Sequence, residues 1–279
     1  MFDCKTTWDL VITIFMEHST DKIWSQIVME AESAIQDEPN LKNFLSEKIL
    51  SHESMKAALS CSITEIIESN LPRNYVCSRA FQEIMNQSLC ETKIAQDLMA
   101  VFDRDSACNF LSTPLLFYKG FMALQIHRIS NTLWLEKKST IALSLQAIIS
   151  KNYAVDIHPN AKIGYGVMLD HATGIVIGET AVVDDNVSIM QSVTLGGTGK
   201  HSGNRHPKIR SNVLIGPSAT ILGNIEIGEG TLVGAASVVL DSVPPRSIVA
   251  GVPAKRIGHT GGLPPSISMD QIFLKTSDH

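Results

Sequence analysis

The chain has 279 residues, 44% of them hydrophobic and 18% charged, and a formal net charge of −5. This length fits one large domain or two ordinary ones. The acidic balance gives no broad positive field and sets nucleic acid aside as a partner, and no apolar run approaches the ~20 residues of a membrane span.

The first apolar stretch, Leu10 to Met16, is short, follows Asp9 and lacks both a basic leader and a small-residue cleavage site, so no signal peptide is expected. All five cysteines, Cys4, Cys61, Cys77, Cys90 and Cys108, fall early in the chain. Their odd number and the absence of a CxxC pair read as reduced thiols of a cytoplasmic protein. Residues 1–150 are predicted to form an α-helical domain. Apolar positions recur at helical spacing at Ile23, Ile27, Ala31 and Ala34 and stop near Pro39. Leu41, Phe44, Leu45 and Ile49 start a second helix, and Pro72 and Pro114 punctuate later ones. Leu115 to Ile129 and Thr140 to Ile149 are the most apolar of these and suit an ordinary core or a subunit interface.

Composition changes near residue 151, because only one of the 18 glycines, Gly120, precedes it. Aliphatic or small residues then recur at every sixth position, from Ile157 through Ile163, Leu169, Ile175, Ala181, Val187 and Val193. The stripe resumes from Val213 through Ala219, Ile225, Thr231, Ser237, Val243 and Val249. A second stripe lies two residues on, at Ile177, Val183, Ile189, Leu195, Ile215, Ile221, Ile227, Val233 and Val239. Each unit therefore reads as a short strand that turns alternate side chains inward. Such units bury their apolar faces only by stacking, which predicts a parallel β-helix over 151–258. Gly178, Gly216, Gly228 and Gly234, with Asn186, Asn212 and Asn224, are expected to supply left-handed backbone at its corners. Residues 259–279, including Gly261-Gly262-Leu263-Pro264-Pro265, are expected to form an irregular, flexible tail.

The six-residue pattern slips twice, between Gly164 and Gly178 and between Gly178 and Gly216, each time by two residues. Both slips coincide with polar segments, Asp170-His171-Ala172-Thr173-Gly174 and Gly196 to Arg210, and breaks in a consistent pattern are where function is expected. Most of the nine histidines have a plain reading. His18, His52 and His127 fall in helical patterns as surface or partly buried positions, His259 and His279 lie in the tail, and His158 takes a structural turn at the first corner. His171 differs, because it stands where the stripe otherwise places an aliphatic residue. A neutral imidazole, with an ordinary pKa near ~6.5, can take a proton from a hydroxyl. Its other nitrogen needs an acceptor to fix tautomer and direction. Asp170 is adjacent, but neighbours in an extended segment point to opposite faces. Asp156, fifteen residues earlier, would lie on the neighbouring rung and is the better orienter, leaving Asp170 to bind substrate.

The segment from Gly196 to Lys208 interrupts the repeat with glycines and cations. It lacks the spacing GxxxxGK[ST] and no helical pattern follows, so it is not a nucleoside triphosphate site. It reads instead as a protruding loop that carries Arg205 and His206, the arginine able to grip a carboxylate with two parallel hydrogen bonds.

These residues carry a family resemblance. The run from Asp156-Ile157-His158-Pro159 through Leu169-Asp170-His171-Ala172-Thr173-Gly174, Val193-Thr194-Leu195-Gly196-Gly197-Thr198-Gly199-Lys200 and Arg205-His206-Pro207-Lys208-Ile209 to Ala250-Gly251-Val252-Pro253-Ala254 is similar to the serine O-acetyltransferases. The likeness extends upstream to Ser112-Thr113-Pro114-Leu115-Leu116 and Tyr118-Lys119-Gly120-Phe121. It implies an α+β protein, with a left-handed β-helix of hexapeptide repeats behind an α-helical domain that joins trimers into hexamers. It also implies transfer of acetyl from acetyl-CoA to the hydroxyl of L-serine, the first step toward cysteine, with L-cysteine as feedback inhibitor and no metal. Carried over by resemblance, His171 is the general base and Asp156 its partner. Arg205 and His206 hold the substrate carboxylate, and Asp105 and Asp170 its ammonium group. On physical grounds, backbone amides near Gly196 and Gly197 are candidate oxyanion donors. Acetyl-CoA is expected between the β-helices of neighbouring subunits, its phosphates near Lys255 and Arg256.

The chain departs from the family pattern in having Asn204 before the Arg-His pair, where Asp is usual, and Met122, where many members have His. It also ends Thr276-Ser277-Asp278-His279, whereas many relatives end in an isoleucine that docks into cysteine synthase, so weak or absent binding to that partner is expected. Two other readings share the repeat. One is a γ-class carbonic anhydrase with His171, His201 and His206 around zinc. The other is an acetyltransferase acting on homoserine, a sugar or an antibiotic.

Overall fold

The computed structural model describes residues 19–76, 78–199 and 202–271. Cys4, Leu10 to Met16, His18, Cys77, Lys200, His201 and the terminal His279 lie outside the described residues.

The first half is a stack of helices: α1 (Thr20–Asp37), α2 (Lys42–Leu45), α3 (Met55–Glu68), α4 (Arg73–Val76), α5 (Arg79–Ser88), α6 (Glu91–Arg104), α7 (Ser112–Phe117), α8 (Lys119–Leu135) and α9 (Ser139–Tyr153). Serine hydroxyls start three of them, Ser19 accepting from the Lys22 amide, Ser54 from Ala57 and Ser78 from Phe81. Each satisfies an amide that has no partner within its helix. Of the predicted stripe, Ile23, Ile27 and Ala31 are buried on one face of α1 and Ala34 is half-buried against the same core. Helix α8 is instead buried almost all round, from Gly120 to Ser130, polar side chains included. His127 is therefore fully enclosed, against the expectation of a surface or partly buried position. Among the described residues, no helix is long and apolar enough to cross a membrane.

Ala154 takes a left-handed backbone, φ 54°, and turns the chain out of α9 into a parallel β-helix. Its first face holds β1 (Val155–Ile157), β4 (Ile175–Ile177), β7 (Thr194–Gly196), β10 (Thr220–Leu222) and β13 (Val238–Val239). The second holds β2 (Lys162–Ile163), β5 (Val182–Val183), β8 (Lys208–Ile209) and β11 (Glu226–Ile227). The third holds β3 (Met168–Leu169), β6 (Ser188–Ile189), β9 (Leu214–Ile215), β12 (Leu232–Val233) and β14 (Ser247–Gly251), with β15 (Ala254–His259) added antiparallel. Where the coil is regular, Val176 pairs with Thr194 and Thr220 with Val238, eighteen residues on in each case. Val155 pairs with Ile175, two residues more, because the His171 corner is enlarged, and Thr194 pairs with Thr220, eight more, because the arm leaves there. The two slips in the sequence are thus a bulged corner and an excursion. Inside, Ile177 stacks on Leu195 and Leu195 on Ile221, each essentially without solvent contact.

The corners correct one expectation. Left-handed backbone is found at Asn186, Asn212, Ser192, Ser218 and Ala236, and at Gly166 and Gly230, but not at Asn224, Gly178, Gly216, Gly228 or Gly234. Gly216 and Gly228 are needed for space, since a Cβ would lie 2.7 Å from the Ala235 amide and 2.4 Å from the Pro245 nitrogen of the next coil.

Helices and coil are joined by buried charge. Arg128 on α8 meets Asp97 on α6 at 2.6 Å and also donates to the carbonyls of Ile163 and Gly164, while the second Asp97 oxygen accepts from the Val167 amide. Gly120 lets α8 approach closely, because a Cβ there would lie 2.1 Å from the Leu169 carbonyl. The C-terminal segment is described through residue 271. Helix α10 (Pro265–Ser268) sits against α6, with Arg104 donating to Ser188 Oγ and Ser188 Oγ to the Ser266 carbonyl.

Candidate active site

The candidate residues fall into two groups at the two ends of the first face, one on the corner that precedes its strands and one on the corner that follows. The preceding corner carries Asp170 and His171. His171 and Ala172 both have left-handed backbone, φ 53° and 56°, and the His171 side chain is 71% exposed. That backbone corrects the orientation argument: the segment is not extended, so neighbouring side chains do not alternate. Asp170 Oδ1 consequently lies 3.9 Å from His171 Nε2, and Asp156 is not within 4 Å of it in the same chain.

Behind this corner stand Asp105 and Tyr118. Asp105 closes α6 and accepts from the Ala107 amide at 2.9 Å. Burial and a hydrogen bond to Asp105 push the Tyr118 hydroxyl up to about 12. Burial also raises the Asp170 carboxyl, opposed by His171 and reinforced by the charge of Asp105. Lys119 Nζ donates to Thr173 Oγ1 and ties the start of α8 to this loop. Two carboxylates beside one exposed imidazole favour a cationic group next to a hydroxyl that must lose its proton.

The following corner gathers His158, Glu179, Thr180, Arg205 and His206, with Asp156 on the strand that leads into it and its charge near His158. Asp156, on β1, accepts from Gln146 at 2.6 Å. His158 Nδ1 accepts from the Asn160 amide at 3.0 Å, and its ring meets Trp134 edge-on, consistent with a turn role. Burial lowers its pKa. Returning from the arm, Arg205 donates to Glu179 at 2.6 Å, and Arg205 and His206 both donate their amides to Thr180 Oγ1. The His206 ring lies over Gly178 and beside Gly197, its Nε2 3.5 Å from where a Cβ of Gly197 would be. A hydrogen bond from Arg205 holds the Glu179 carboxyl below its ordinary value, and burial with the nearby Arg205 charge lowers His206. Gly196 ends β7 in contact range of Leu222. Lys255 and Arg256 are exposed on β15, opposite Ala250 and Val249. Among the described residues no hydrogen bond or ion pair joins the two groups.

The sequence reading missed Gly178-Glu179-Thr180 as the dock for the arm. The signal was present only in register: Lys208 pairs with Val182, which sets Arg205 and His206 beside Glu179 and Thr180. Counting hexads through the insertion could not reveal this.

Comparison with known proteins identifies the scaffold. Residues 23–126 match the family model for the N-terminal part of serine acetyltransferase, and residues 206–241 match the bacterial transferase hexapeptide model. A serine acetyltransferase of Salmonella typhimurium is 48% identical over 256 residues, covering 90% of this chain and 92% of its own length. The chain belongs to the serine acetyltransferase family. A serine acetyltransferase solved in complex with cysteine superposes with a TM-score of 0.86 at 44% identity, over 92% of this chain and all of its own. One from Brucella abortus, in complex with coenzyme A, gives a TM-score of 0.80 at 44% identity, over 86% of this chain and 96% of its own. Membership of the serine acetyltransferases sets the zinc hydratase reading aside and makes the chain an acyltransferase that uses acetyl-CoA.

Proposed function

We propose that the chain transfers acetyl from acetyl-CoA to the L-serine hydroxyl, giving O-acetylserine and CoA, at sites shared between neighbouring copies. The separation of the two residue groups within one chain supports this most directly. His171, exposed on one corner, finds its complement when the opposite corner of a second copy is brought against it, as in a threefold ring. Asp156, Arg205 and His206 then come from the neighbour.

In such a site Asp105 and Asp170 receive the serine ammonium group, and Arg205 with His206 receives its carboxylate. His171 takes the hydroxyl proton as the oxygen attacks the thioester carbonyl. Backbone amides near Gly196 and Gly197 donate to the oxyanion that forms. Collapse breaks the carbon–sulfur bond, and the CoA thiolate recovers the proton from His171. Asp156 of the neighbour orients the imidazole and stabilises its charged form. The exposed cations Lys255 and Arg256 suit the phosphates of CoA. The helical domain then joins trimers into hexamers.

L-Cysteine carries the same carboxylate and ammonium groups as L-serine, so it fits the same four side chains and inhibits competitively with serine. The relative solved with cysteine supports this reading. Thiol release from acetyl-CoA, assayed against serine, homoserine and simple sugars, tests the assignment. Release that depends on serine is expected, and release only with another acceptor would overturn it.

A further inference from the structure

The structure assigns Thr180 a positioning role: it fixes His206 as a neutral imidazole whose Nε2–H points outward as a donor. This rests on the reaction proposed above for its consequence, though not for its geometry. The Thr180 amide donates to His206 Nδ1 at 3.1 Å, and Thr180 Oγ1 lies 2.9 Å from the same nitrogen. That hydroxyl oxygen already accepts the amides of Arg205, at 3.0 Å, and His206, at 3.1 Å. Its lone pairs are thereby used, and its own proton is directed at Nδ1. An amide N–H cannot accept, so Nδ1 must keep its lone pair and the ring proton must reside on Nε2.

The surroundings make a second proton costly. It would set an Nδ1–H against two donors, and burial, Arg205, Lys208 and His158 all oppose the cation, with Glu179 alone favouring it. Gly178 completes the arrangement by leaving room for the ring, and Nε2 faces the Gly197 side of the site. The two histidines therefore divide the work. His171, open to solvent, exchanges a proton, while His206 stays neutral and donates a hydrogen bond to an anionic oxygen.

The test uses the full-length chain labelled with ¹³C,¹⁵N-histidine, with Thr180→Val and Thr180→Ser as variants. The wild type should show His206 as the Nε2–H tautomer at pH 7. Thr180→Val removes the hydroxyl while keeping the shape, and it should lower kcat/KM for serine about tenfold. It should also move the acid limb of the pH profile upward, because one barrier to protonating Nδ1 is gone. Thr180→Ser restores the hydroxyl and should return kcat/KM to within about twofold of wild type. An Nδ1–H or charged His206 at pH 7, or an unchanged kcat/KM and pH profile in Thr180→Val, would overturn the assignment. The tautomer is read without turnover, so a wild type that fails to acetylate serine would sink the reaction and leave this measurement intact.

Discussion

The His206 ring occupies the place that a side chain on Gly178 would fill: a Cβ there would meet ring atoms Cδ2 and Nε2 at 2.1 Å. The glycine is a matter of space, since its backbone is not left-handed. Gly178→Ala should push the ring out of its cradle and cost about 1–3 kcal/mol as an overpacked contact. Serine kcat/KM should fall at least about tenfold while the coil stays folded. Steady-state kinetics with thermal melting checks this, and normal kinetics would mean that the ring need not lie there.

His171→Ala removes an exposed side chain on a corner, so the rungs should stay intact. Turnover should fall by at least ~10²-fold, the usual worth of a positioned base, with acetyl-CoA binding near normal. Calorimetry and thiol-release kinetics separate the two, and retention of more than a tenth of the turnover would remove His171 from the role of base.

Asp97→Asn should destabilise the chain strongly. Arg128 is 8% exposed and Asp97 fully buried, so the change leaves a guanidinium enclosed without its counter-charge. Loss of one partner of such a pair typically costs ~3–5 kcal/mol. Denaturant unfolding measures it, and a loss below about 1 kcal/mol would show that the carbonyls of Ile163 and Gly164 suffice to hold Arg128.

Burial and the adjacent Arg128 lower His127 from its ordinary value of 6.5 to about 3. Below pH 6.5 the unfolded chain binds a proton that the folded chain refuses, so stability falls as pH drops from 6.5 toward 3. His127→Gln should flatten that part of the stability profile. An identical profile in the variant would place the acid sensitivity elsewhere.

Much of the fold was legible because the inner positions of a coil obey one local rule. Ile177, Leu195 and Ile221 declare themselves by spacing alone, and so does His171, as an exception to it. What escaped depends on contacts between distant segments. The Glu179–Arg205 pair needs the register across the arm, and the seat of α10 needs Ser188 to meet the Ser266 carbonyl, for which no local pattern exists. Helix α8 is enclosed on every side, which erased the polar stripe that would have placed His127. The Asp170–His171 contact was lost to a left-handed pair of residues that no glycine announced.

The central claim is that acetyl transfer needs His171 from one copy and Arg205 from another. Chains carrying His171→Ala and chains carrying Arg205→Ala should each show severely reduced kcat/KM for serine. Unfolded together in equal amounts and refolded, they should recover about a quarter of wild-type kcat/KM, since random assembly in a ring leaves that share of interfaces with both halves intact. Activity no higher than the mean of the two separate variants would contradict the account and place both halves of the site within one chain.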